Sequence, residues 1–449
     1  MSAYVRPGDN NFSGLDRGYN QRFRLSSSLS SARGEGVYVV ESAEDIRDTL
    51  NGIAGGSSLS PGEIRATSGG HCYENFVFQE SSSGSSNAKY VMDLNTMKGI
   101  QEISGLGDGK TYIAIEAGVS NWQAQTTLHA KYGKTIPSGS CYSVASGGHI
   151  AGGGYGLLSR LHGLAVDYLA GVEMVIPDLD VGGFKVRSFN PLEDGDDLDW
   201  ASRGGGAGHF GIITKYYFDK DRLPLAPEGA LFISIPIPWA QFTNGDIFTN
   251  FLNAYYDACA ALPPQAFTLG KFFAKVDDAS EMAVSIQVVY GDNSGHSTTS
   301  GGVAYSPITR DGAVDVINTF WDGINDFSPD RKTLNSRPAR TIELRGHPVT
   351  FVHDLGKLYD LPWIEMTQLL NGSGENKKGK YKSSYMITNF STDEGRAMYD
   401  FLADSNSEAP ASAVKSDTLI QIDSYGMQVN EMDPDNNTAI AARNSVLKI

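Results

Sequence analysis

Two glycines stand directly ahead of a histidine in RATSGGHCYENF, residues 65–76, and a cysteine follows it. An imidazole and a thiol on a backbone stripped of side chains suit a large partner that must approach the main chain closely. The same texture returns in IPSGSCYSVASGGHIAGGGYGLLSRLHGLAVDYL (136–169), with a second cysteine, and in WASRGGGAGHFGIIT (200–214). Three such turns in one stretch suggest a phosphate-bearing cofactor, because backbone N–H groups reach a pyrophosphate only where no Cβ intervenes. A nicotinamide site of the Rossmann type fits poorly. The glycines of GGHIAGGGYG do not fall in a strand–GxGxxG–helix frame, and no acidic residue ends a second strand about 20 residues on.

Composition narrows the classes further. A net charge of −16 with no visible basic patch sets nucleic acid aside as a partner. No run of 18 apolar residues occurs, so no membrane span is expected. The first residues, MSAYVRPGDNNFSG, lack a basic and then an apolar region, so no signal peptide is read in this numbering. The compartment stays open, either cytoplasmic or secreted with the signal already removed. Three cysteines (Cys72, Cys141, Cys259) are too few for a disulfide framework, and neither CxxC nor HExxH occurs, so no metal site is expected. Cys259 lies in a helical apolar pattern and reads as packing.

The elements that must position these turns alternate along the first half. GVYVVES (36–42) reads as a strand, and Ser42 with Asp45 as a capping box opening the helix AEDIRDTLNGIAGG. EIRATSGGH, YVMDLN and TYIAIEAG read as strands, and NWQAQTTLHAKYG (121–133) as a helix closed by Gly133. QESSSGSSNAK (79–89) reads as an exposed insertion and EDGDDLD (193–199) as a solvated hairpin tip. Beyond RLPLAP the glycine clusters stop. Strands such as LFISIPIPW, EMAVSIQVVYG and GHPVTFVH then alternate with amphipathic helices such as IFTNFLNAYYDACAAL. A chain of 449 residues has room for two or three domains. The expected division is 1–222, 223–420 and a returning segment at 421–449.

The first two glycine segments resemble the two cofactor segments of the berberine-bridge-enzyme-like flavoproteins. These belong to the vanillyl-alcohol-oxidase superfamily, with its p-cresol-methylhydroxylase-type FAD domain. WASRGGGAGHFGIIT resembles a third family segment and IDSYGMQVN (422–430) a fourth, in order from about residue 65 to 430. The resemblance implies an α+β fold: an FAD domain of two α/β subdomains and a substrate domain whose antiparallel sheet is covered by helices. It implies FAD bound covalently, with His71 on the 8α-methyl carbon and Cys141 on carbon 6 of the isoalloxazine. It further implies cofactor contacts from Arg65, Ser68, Gly69, Gly70, Val144, Gly147, Gly148, His149, Gly153, Gly154, Gly156, Gly211 and Ile212. Cys72 stands where serine is common and is expected to face away from the ring. His149 and His162 match loop and packing positions, and His209 replaces an asparagine. Val144 stands where oxidases of the family carry valine and dehydrogenases a bulkier leucine.

Oxidation of an alcohol needs a base for the hydroxyl proton while hydride leaves the carbon. The resemblance points to Tyr425, with Tyr73 as a substrate-contacting aromatic and Asp423 as an orienting group. A tyrosine with its ordinary pKa of about 10 needs help from a neighbouring donor or cation to act as a base near neutrality. Family members usually continue past this chain's last residues, ARNSVLKI, through a segment like YY-x-x-N-Y-x-R-L that carries a catalytic tyrosine. Either the sequence is truncated or that tyrosine is lost. The implied function is an oxidase that takes hydride from a CH–OH group of a sugar, oligosaccharide or glycosylated natural product and reduces O2 to H2O2. The alternative is an oxidative cyclase or dehydrogenase of a secondary metabolite. The expected partners are a small hydroxyl substrate and O2, with the chain a monomer or homodimer.

Overall fold

Three β-branched runs, Gly36–Val39, Tyr90–Asp93 and Ile64–Thr67, lie parallel and side by side in the computed structural model. The structure describes residues 2–26, 29–55, 59, 61–78, 88–192, 197–206, 208–277, 280–298, 302–328, 356–370, 376, 378–403, 418–432 and 438–449. Ala3–Val5 adds an antiparallel edge, giving a four-stranded sheet. Helix Ala43–Ala54 connects the first two parallel strands in sequence, and Ser42 Oγ accepts the Asp45 N–H at 3.0 Å as the capping pattern predicts. Helix Asn121–Tyr132 opens on a reciprocal Ser120–Gln123 capping box and closes on Gly133, whose φ of 61° is left-handed.

A second sheet of five strands runs in the order Ile100–Ser104, Thr111–Glu116, Ile212–Asp219, Leu169–Pro177, Phe184–Arg187, with every neighbour antiparallel. The third has seven strands in the order Tyr359–Pro362, Gly229–Pro238, Glu281–Tyr290, Ala266–Phe273, Leu419–Ser424, Leu447–Lys448, Tyr385–Met386. Period-two alternation gives this sheet two unlike faces. Ile233, Ile235, Val284, Ile286, Phe272 and Ile422 bury themselves against helices Gly245–Ala261, Arg310–Gly323 and Thr392–Ala403, whose Phe248, Phe251, Tyr255, Phe320 and Leu402 share the same core. Cys259 is fully buried there, with Sγ 3.3 Å from Thr268 Oγ1. The other face carries Ser234, Ser285, Gln287, Gln421 and the candidate residue Asp423.

The implied α+β architecture, with a helix-covered antiparallel sheet, is therefore what the chain forms. One local expectation fails. Asp197–Ser202 is a helix, not part of a hairpin tip: Asp197 and Asp199 sit in its first turn, where carboxylates favour the helix dipole, and Arg187 pairs with Asp199 at 3.1 Å. Residues 193–196 of that stretch, residues 79–87 of the expected insertion, and GHPVTFVH lie outside the described residues. Strands Leu419–Ser424 and Leu447–Lys448 both belong to the seven-stranded sheet. Between them the chain crosses to the glycine-rich half, where Val429 joins the core of Leu164, Val166 and Leu169, and the Ala439 N–H donates to Arg203. Among the described residues no helix is long and apolar enough to cross a membrane.

Candidate flavin and substrate site

Strand Ile64–Thr67 ends in the turn Ser68-Gly69-Gly70-His71, and the turn is pressed against residues 143–147. A Cβ on Gly69 would stand 2.6 Å from the Ala145 nitrogen, and one on Gly147 2.8 Å from Ser68 Oγ. Gly70 holds φ at 69°, a conformation that favours glycine. The two segments therefore meet backbone to backbone, and His71 Nε2 lies 2.8 Å from Ser143 Oγ, two residues beyond Cys141. Burial pushes the His71 imidazole below its ordinary pKa, so it is neutral near pH 7. The N–H groups of Gly69, Gly70 and His71 donate to no group among the described residues, which is what a pyrophosphate cradle requires. These residues fit FAD.

The Cys141 loop is held from below. Buried Asn121, at the start of its helix, donates through Nδ2 to the carbonyls of Gly139 (3.2 Å) and Cys141 (3.1 Å), and its own N–H donates to Val144. His149 Nε2 accepts the Gly139 N–H at 3.0 Å, so His149 props the loop. Its pKa is pushed down to about 4 by burial and by Lys448. Gly156 touches the same loop so closely that a Cβ would fall 1.7 Å from the Ser138 carbonyl oxygen, and a Cβ on Gly154 would fall 2.3 Å from Ala165 Cβ. Gly156→Ala is thus expected to cost about 1–3 kcal/mol or more, because the Ser138 carbonyl is backbone that cannot rotate away. Purified variant with lowered Tm and flavin content below half of the parent is the expected result.

The other expected contacts have varied surroundings. Arg65 is half-buried and donates to the Ile64 carbonyl, and Val144 is half-buried in the Cys141 loop. Gly148 has open space around it, Gly153 packs on Ile440, and Gly211 abuts the Val175 carbonyl. Ile212 is a core residue with Ala117 and Val175. His209 is exposed. Cys72 donates to the Glu74 carbonyl at 3.2 Å.

The sheet face gathers buried and titratable side chains. Asp423 is only 6% exposed, and Gln421 Nε2 donates to both its oxygens, at 2.9 and 3.2 Å. Burial raises its pKa to about 6, with the charges of Lys448 and Lys271 and the Gln421 hydrogen bond pulling the other way. Lys448, opposite Asp423 in the ladder, places Nζ 4.6 Å from the ring centroid of Tyr155. Tyr155 comes from the glycine segment, and its hydroxyl donates to the Ser424 carbonyl at 2.7 Å. Tyr425 packs its ring against Tyr155, with centroids 5.1 Å apart. It is buried, its hydroxyl donates to the Ala442 carbonyl at 3.0 Å, and burial holds that hydroxyl above its ordinary pKa. Tyr73 is 49% exposed and stacks on Tyr381 at 4.0 Å; partial burial raises its hydroxyl above the ordinary pKa. Asn121, Tyr155, Lys448 and Ser143 went unnoticed in the sequence. Tyr155 and Ser143 had a signal, lying inside a glycine-rich segment.

The two halves are joined by buried charge. Arg160 donates to the carbonyls of Cys259, Leu262, Ala266 and Tyr425 at 2.5–3.3 Å. His162 and His296 face each other with Nδ1 atoms 3.0 Å apart, and burial, then His296, drives the His162 pKa well down. Folded His149 and His162 thus refuse protons that the unfolded chain takes up below about pH 6.5. Stability is present above that pH and is lost as pH falls, by up to about 1.4 kcal/mol per unit for each histidine. Asp423, whose raised pKa acts in the opposite sense, offsets one of the two at most. Tm is expected to fall between pH 7.5 and 5, and to fall less in His162→Gln.

A family profile described as an FAD binding domain matches residues 35–180. Hexose oxidase of Chondrus crispus is 32% identical over 446 residues, which cover 97% of this chain and 74% of that protein. Aclacinomycin-N/aclacinomycin-A oxidase of Streptomyces galilaeus is 29% identical over 97% of this chain and 70% of its own length. The carbohydrate oxidase of Microdochium nivale is 37% identical over 155 residues, 34% of this chain and 28% of that protein. The crystal structure of aclacinomycin oxidoreductase superposes with a TM-score of 0.73 at 26% identity, covering all of this chain and 80% of that one. A glycine cradle for FAD, a helix-covered sheet facing it, and relatives of this length and identity together place the chain in the berberine-bridge-enzyme-like FAD-linked oxidases.

Proposed function

We propose that this FAD-dependent oxidoreductase takes hydride from a CH–OH carbon of a sugar or of a glycosylated natural product and reduces O2 to H2O2. The relatives named hexose oxidase, carbohydrate oxidase and aclacinomycin oxidase support that substrate class. The observation that carries the reading is the meeting of the His71 turn with the Cys141 loop, at 2.8 Å between His71 Nε2 and Ser143 Oγ. Bound FAD would supply the hydride acceptor and the path of the electrons to O2. His71 and Cys141 are the attachment points, a neutral imidazole and a thiol carried by two segments that meet at His71 and Ser143. Asp423 takes the hydroxyl proton: it is ionised near pH 7 yet basic enough to hold a proton. Gln421 fixes the carboxylate's orientation, and Tyr73 with Tyr381 offers an aromatic face to a sugar ring at the mouth. We further propose that residues 1–222 form the flavin domain and 223–420 the substrate domain, with 421–449 crossing between them.

Acid denaturation followed by filtration tests the attachment: yellow colour should stay with the polypeptide. Oxygen-electrode traces with a panel of free and glycosidically bound sugars test the reaction. A protein whose colour no sugar bleaches under anaerobic conditions would end the reading.

A further inference from the structure

Two groups hold the His71 ring, and neither belongs to its own Ser68–His71 turn. The Tyr19 ring stacks on the imidazole at 4.9 Å between centroids and 22° between planes. Tyr19 is seated there by its own N–H, which donates to the Gly70 carbonyl at 2.7 Å. Gly18 permits the approach, since a Cβ there would stand 2.3 Å from the same oxygen. Ser143 Oγ engages Nε2, and the Ser143 carbonyl is itself packed against Gly69. One face and one nitrogen of the ring are thus fixed, and Nδ1 is left as the atom turned to other chemistry.

We propose that Ser143 and Tyr19 are positioning residues for covalent flavin attachment: together they hold the imidazole with Nε2 on the serine hydroxyl and present Nδ1 to the flavin methyl carbon. This rests on the reading above that His71 is an attachment point. A neutral imidazole has one N–H and one lone pair. With the proton on Nε2, donating to Ser143 Oγ, the lone pair sits on Nδ1, where the bond forms. Attachment exchanges one methyl C–H bond and the Nε2–H bond for one N–C bond. The two protons and two electrons released pass to O2 as H2O2, the acceptor that the oxidase reaction already uses. The proton lost from the ring leaves from Nε2 through the serine hydroxyl, which accepts it only as it passes its own proton on. Tyr19 opposes rotation of the ring out of this pose.

The test uses Cys141→Ala as the background, so that His71 is the sole attachment. Ser143→Ala, Ser143→Thr and Tyr19→Ala are added to it, and total and acid-resistant flavin are measured while the purified proteins are incubated with excess FAD. Ser143→Ala and Tyr19→Ala should bind FAD as well as the background but attach it about tenfold more slowly or worse, and Ser143→Thr should restore the rate. Flavin peptides from the background should carry a single histidyl isomer, and those from Ser143→Ala a mixture of Nδ1 and Nε2 linkages. Unchanged rate and a single isomer in Ser143→Ala would overturn the proposal, as would loss of total FAD binding in place of slower attachment. A background protein that holds no acid-resistant flavin would overturn the His71 attachment itself, and this proposal with it.

Discussion

Asp423→Asn is expected to lower kcat by about 10²- to 10⁴-fold, the range over which a positioned proton acceptor contributes. Asparagine has nearly the same volume, and its oxygen still accepts from Gln421 Nε2, now 2.9 Å from the carboxylate. Packing and stability should hardly change, so the loss reports proton transfer. The pH profile gives a second readout. With the carboxyl raised to about 6 by burial, the parent's rate should fall as pH drops through that value and the base takes a proton. In Asp423→Asn this limb disappears. Lys448→Met removes the largest of the charges holding the carboxyl down, so its limb should move to higher pH. Stopped-flow rates of the anaerobic half-reaction from pH 4.5 to 8.5 decide the matter. An Asp423→Asn enzyme within threefold of the parent would assign the proton to another group.

What the sequence made legible follows from what is local. Glycine turns, the Ser42 cap, the Gly133 stop and the period-two strands are written within a few residues of where they act, so they could be read and were found. Glu-Asp-Gly-Asp-Asp looked like a solvated tip because charge density hides the helical use of Asp197 and Asp199 at a helix start. The site's supports are of another kind. Asn121 reaches 18 to 20 residues along the chain, Arg160 reaches 99 to 265, and Lys448 meets Tyr155 across most of the protein. Such groups are ordinary polar residues until the fold brings their partners. Tyr425 shows the same limit: its motif is local, whereas its hydroxyl's partner, the Ala442 carbonyl, is set by the tertiary fold.

Removing both His71 and Cys141 should take the share of flavin that resists acid from nearly all to nearly none, while either single alanine variant should keep it near the parent's value. The asymmetry follows from how the two groups are mounted. His71 rides on the end of a parallel strand and the Gly69–Gly70 turn, whereas Cys141 rides on a loop tied to Asn121 and, through Gly139, to His149. Losing one side chain leaves the other's mounting intact, and one covalent bond is enough to retain the cofactor. The glycine contacts that cradle it persist in all three variants, so the double variant should still turn yellow with added FAD and lose that colour on filtration. If Cys141→Ala alone released its flavin, the imidazole would not be bonded; if His71→Ala alone did, the sulfur would not be. Either result would reduce the proposed clamp to a single tether, and an unreleased flavin in the double variant would place the bond on a residue elsewhere in the site.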